Sequence, residues 1–346
     1  MTDRAALPEP AAVLPGEASI LAQVVSDLSD ETTKLVYADW LQEHDDPRGP
    51  FLREFLAAVR TDEPLPLSEG LSKPWRDLVG VTITEAARTH GFADRIETFL
   101  KVALPTIRVT PSDAPVVAPP IARSRYGGRP DLPADVEWPR WTNGKPLTFL
   151  GQIDLADLTG SVVARELPPA GLLSAFYYLN ENDDDLYGGP RRDGDGNETE
   201  SEGWRLFYFP PGAVLRLHDD SDAPTWSRFQ SHPLTFDERI ELTFDRNGWY
   251  GVSELEGAEW DRYVDLVSSV NAHDECGDRL LGHFQSDEWA TRFGRTGRSL
   301  WSIGLTGNRP GLWGDFLTRL HILIASGDLH TRRFDRAGLE AEWLSS

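Results

Sequence analysis

Residues 104–121, LPTIRVTPSDAPVVAPPI, hold five prolines in eighteen positions. Each proline removes a backbone donor and pushes the residue before it out of helical geometry, so no helix can cross this stretch. The hydrophobic pattern also changes across it, from helical spacing before to strand-like alternation after. The stretch therefore reads as an extended, stiff linker between two domains. A chain of 346 residues has room for both, on the prior of roughly 100 to 200 residues per domain.

Residues 1–17 read as a disordered, Pro-rich leader and 18–103 as a small all-helical domain. In ETTKLVYADWLQEH, Leu35, Val36, Trp40 and Leu41 form one apolar stripe, with Ser29 and Asp30 as N-cap candidates. Pro47 suits the entry turn of a second helix, in which Phe51, Phe55 and Val59 recur one turn apart. The two make a helical hairpin. A further helix is expected in ADRIETFLKVAL, with Ile96, Phe99 and Leu100 on one face.

Residues 122–346 read as a larger, mostly antiparallel β-sheet domain with few helices, so the fold class is α+β. RIELTFD alternates Ile240, Leu242 and Phe244 against Glu241, Thr243 and Asp245, as a half-buried strand does. LLSAFYYL and RLHILIA are apolar on both faces, and GWRLFYF and AVLRLH are further strands around a Pro-Pro-Gly turn. Trp260, Tyr263, Val264, Val267 and Val270 mark one helix behind a candidate capping box of Ser253 and Glu256. PLTFLGQIDL followed by GLLSAFYYLNEND is echoed by RSLWSIGLTG followed by FLTRLHILIASGD, which raises an internal duplication.

Charge narrows the functional classes. Fifty-six acids against 34 bases give a formal charge of −22, which repels nucleic acid and anionic membrane and attracts a basic protein partner. Cys276 is the only cysteine, the first residues lack a signal-peptide pattern, and no membrane-span pattern occurs, so a cytoplasmic protein is expected. Oligomeric state is not legible.

No catalytic signature, cofactor fingerprint or zinc-type spacing emerges, so no catalytic residue and no cofactor is expected. Asp39 and Arg48 are read as a structural joint of the helical hairpin, because a lone acid lacks the partner that acid-base work needs. His44 lies too far round the helix to supply it. Cys276 and His273 are neighbours in sequence only. Asp193, Asp195 and Asn197 have the opening spacing of a calcium loop, but Glu198 and Trp204 stand where a glycine and a bidentate Glu belong, leaving a weak metal candidate. Asp183, Asp184, Asp185 and Tyr187 make a candidate partner-contacting surface. Arg123, Arg125, Arg129 and Arg140 are expected to neutralise nearby carboxylates, and the Trp-rich stretches to pack.

Leu35 to Leu41, the turn Asp46 to Arg48, and Phe51 resemble the bacterial repeat-companion domain, over roughly the first 60 residues. That family has no established activity and is joined to many C-terminal domains, which implies an adaptor or localisation role. The second domain resembles the YwqG-like family: YGGRPDLPADVEWP from Tyr126, Gly144 to Pro146, FLGQIDL from Phe149, then Leu280, Leu281, Gly282, Gln285, Trp313, Gly314, Asp315, and DLHTRRFD from Asp328. It departs at Phe284, where Tyr-Pro is usual, and at Ser302 to Leu305, where a Gln-Ile strand has lost its Gln. The resemblance implies a largely antiparallel α+β fold, and some members resemble immunity proteins encoded beside secreted toxins. The leading expectation is a non-enzymatic binding or adaptor protein that captures a basic partner. The alternatives are a hydrolase-like enzyme whose site is assembled only in three dimensions, and a weak calcium or small-molecule sensor.

Overall fold

A computed structural model describes residues 14–141, 144–179, 191–192, 198–199, 203–219, 228–242, 255–271, 277–283, 297–305 and 317–343. The class is α+β: helices dominate the N-terminal part, and a ten-stranded antiparallel sheet makes up most of the remainder.

Helices α1 (Glu17–Ser26), α2 (Glu31–Glu43), α3 (Arg48–Thr61), α4 (Lys73–Leu78), α5 (Val81–Thr89) and α6 (Ile96–Val102) form in chain order. Asp30 caps α2 by accepting from the amides of Thr32 and Thr33. The predicted leader ends earlier than expected: α1 begins at Glu17, whose side chain is buried. Helix α7 (Ala258–Val270) starts behind Gly257 with no side-chain cap, and Ser253 of the expected capping box lies outside the described residues.

The predicted linker is overturned over its first half. Residues Leu104–Pro111 are strand β1, which lies inside the sheet between β10 (His232–Glu241) and β11 (Asp278–Gly282). Pro105 and Pro111 fall at its ends, where a lost ladder donor is tolerated, and TIRVT between them supplies β-branched residues. Nor do the helices hang from a tether. Asp77 of α4 meets Arg239 of β10 at 3.5 Å, Phe99 of α6 lies 5.3 Å from the ring of Tyr263 in α7, and Arg262 sits over Phe92. One continuous apolar core runs from Leu21 and Trp75 in the helices to Ile107, Leu280 and Trp301 in the sheet.

The remaining sheet strands are β2 (Arg125–Tyr126), β4 (Thr148–Asp154), β5 (Leu172–Tyr177), β8 (Trp204–Phe209), β12 (Gly297–Gly304), β13 (Leu317–Ala325) and β14 (Gly338–Trp343). Short pairs are made by β3 (Asp131–Pro133) with β9 (Leu215–Leu217), and by β6 (Arg191–Arg192) with β7 (Glu198–Thr199). The sheet order is β14-β13-β12-β11-β1-β10-β2-β4-β5-β8. This order is one five-strand pattern used twice. The chain runs β1, β2, β4, β5, β8 and then β10 to β14, and each repeat's first strand pairs with the second strand of the other repeat. The two ends of the sheet approach each other, with the Tyr208 ring 4.9 Å from Phe334 ahead of β14.

The repeats agree in register. Arg125, Gln152, Ser174 and Phe207 face one another across β2, β4, β5 and β8, as Arg279, Ser302, His321 and Glu340 do across β11 to β14. The next row pairs Tyr126 with Gly151 and Leu280 with Trp301. Both repeats break register at the same rung, between Phe149 and Gly151 and between Ser299 and Trp301. The swap of sizes is compensatory. A Cβ at Gly151 would lie 2.6 Å from the Tyr126 ring, while Trp301 fills its own row and stacks on Tyr126 at 6.0 Å.

Candidate functional site

Buried polar groups cost stability unless paired, so they are the first places to look for function. In the helical hairpin, Arg48 donates to both Glu17 oxygens at 2.8 and 3.0 Å and to Asp46 from Nε and Nη2 at 2.9 and 2.8 Å. Tyr37 donates its hydroxyl to Glu17 and receives the Trp75 indole N–H at 2.9 Å. Burial pulls the Glu17 carboxyl up, but the hydrogen bonds from Arg48 and Tyr37 outweigh it and hold the group below its usual range. Burial together with the Glu17 hydrogen bond raises the Tyr37 hydroxyl. The polar side chains of the set hydrogen-bond to one another, two carboxylates sharing one guanidinium, which is the behaviour of a joint.

Arg48 thus belongs to the buried joint, while Asp39 bridges the two hairpin helices from the surface and does not meet Arg48. Asp39 is half exposed on the outer face of α2 and pairs with Arg53 of α3. The acids that hold Arg48 are Glu17 and Asp46, and Glu17 lies in what reads from sequence as the leader. His44 caps α2, with Nδ1 2.8 Å from the Trp40 carbonyl and its ring against Trp40.

In the first sheet repeat, Arg125 donates to Asp131 at 3.0 Å and to the carbonyl of Arg129, while Gln152 donates to Asp131 at 2.8 Å and to the carbonyl of Arg123. Arg125, Asp131 and Gln152 are all buried. The three staple the Gly-Gly loop after β2 back onto the sheet. Arg123 pairs with Asp157, so Arg123 and Arg125 neutralise carboxylates as expected. Trp138 and Trp301 are core residues.

The second repeat rebuilds the same staple with other residues. Arg279 donates to Glu241 at 2.9 Å and, through Nη2, to the carbonyl of His283, as Arg125 does to that of Arg129. Gly127 and Leu281, each two residues past its arginine, share a φ of 61°. Only glycine fits at 127, where a Cβ would meet the Gln230 carbonyl at 2.2 Å; Leu281 accepts a left-handed conformation rare for a branched side chain. His283 is wholly buried, and burial pushes its imidazole down to about 4. Further along the row, the Ser302 hydroxyl lies 2.8 Å from His321 Nδ1 and 2.7 Å from the Ser299 hydroxyl. Serine at 302 is too short for the reach that Gln152 makes in the first repeat.

Asp183, Asp184, Asp185, Tyr187, Asp193, Asp195, Asn197, His273, Cys276, Gln285 and Trp313 lie outside the described residues. Among the described residues no group of three or more His, Cys, Asp or Glu is placed to hold a metal ion, and no helix is long and apolar enough to cross a membrane. Sequence reasoning missed Glu17, Asp131 and the Ser302–His321 contact. Aligning RYGGRP from Arg125 with RLLGHF from Arg279 would have exposed the paired arginines and the loop that follows each.

Fold and clusters define an α+β protein on a strand-exchanged, twice-repeated antiparallel sheet. Residues 124–342 match the domain of unknown function DUF1963, and the chain belongs to that family. The matched span begins at β2, leaving the helical part and the interior strand β1 outside it. No curated protein matches the chain.

Proposed function

We propose that the chain is a non-enzymatic binding protein whose acidic surface captures a basic protein partner, as an immunity-type protein does. One observation carries this reading. Histidines aside, the buried charged side chains among the described residues nearly balance, with acids Glu17, Asp77, Asp131, Glu241 and Asp278 against bases Lys34, Arg48, Arg125 and Arg319. The surplus behind the formal charge of −22 therefore lies nearer solvent or in segments outside the described residues. Such a field speeds encounter with a cationic partner and weakens as salt screens it.

On this reading the sheet is YwqG-like, and the N-terminal helices are a repeat-companion module acting in the cytoplasm. Because those helices pack on β10 and α7, the module presents a fixed face and does not swing on a linker. The test is a pull-down with the full chain at about 50 mM and about 500 mM salt, the Debye length falling roughly threefold between them. A basic protein retained at low salt and released at high salt supports the reading. Capture indifferent to salt, or none at low salt, refutes it.

A further inference from the structure

We draw no further inference here: the strongest candidate, the exposed apolar patch of Val116, Val117 and Ile121 on the Pro-rich segment between β1 and β2, carries nothing because no feature of the structure shows what covers it.

Discussion

Arg48→Met tests the joint most sharply. Arg48 and Glu17 have side chains 9% and 0% exposed, and the guanidinium makes paired contacts with Glu17 and with Asp46. Methionine keeps the stem but takes the guanidinium from the Glu17 carboxylate, which keeps the Tyr37 hydroxyl and the Leu14 amide. Removing one partner of a buried pair costs about 3–5 kcal/mol, a large share of the roughly 5–15 kcal/mol that holds a domain together. Asp39→Ala breaks only the half-exposed pair with Arg53 and should cost less than about 1 kcal/mol. Urea denaturation at pH 7 measures both as midpoint shifts at constant slope. The pH dependence adds a sign. The folded Glu17 carboxyl sits below its ordinary value, so its contribution is present above about 4.5 and is lost as pH falls through the folded value. Without Arg48, burial dominates and raises that carboxyl, so the deficit of the variant should shrink as acid neutralises Glu17. A deficit under about 1 kcal/mol, well short of a broken buried pair, or a cost for D39A equal to that of R48M, would refute the reasoning.

Three further outcomes are expected. Lys34 is buried, and burial, only partly offset by Asp27, Glu31 and Asp30, lowers its amine to about 8 from 10.5. The unfolded chain holds this proton between those values, so parent stability rises with pH across them; K34M should gain roughly 3 kcal/mol at pH 7. The gain should fade above pH about 10, where the amine is neutral in both states, and urea midpoints at pH 7 and 10.5 check it. His283, held at about 4 by burial against 6.5, gives a loss of stability as pH falls from the higher value to the lower. H283Q should flatten that limb by roughly 3 kcal/mol between pH 7 and 4 in the same assay. Gly151→Ala places a Cβ 2.6 Å from the Tyr126 ring and 2.7 Å from the Arg125 carbonyl, and should cost about 1–3 kcal/mol in thermal or urea unfolding.

Legibility tracked how local each feature is. Asp30 capping α2 and the Phe51, Phe55 and Val59 face of α3 were readable because both partners of each contact lie within a few turns. Strands β4, β5, β8 and β13 showed through their apolar runs. Strand β1 did not, since its prolines advertise a linker while its partners, Ile240 opposite Pro105 and Leu280 opposite Ile107, come much later in the chain. Asp39 misled for the opposite reason: it is the conspicuous acid of its motif, yet helical phase turns it outward, and Glu17, unremarkable in sequence, is turned in.

The sequence by itself determined the class, the helical hairpin, most strand positions and the echo between two stretches. Only the tertiary structure decided that the echo is a strand-exchanged repeat, that the Pro-rich stretch begins as an interior strand, and that Glu17 is the buried acid that holds Arg48. The physical reason is that periodicity reports the environment of each segment singly, whereas strand neighbours are chosen by hydrogen bonds between segments far apart in the chain, and no window of residues contains both sides of that choice.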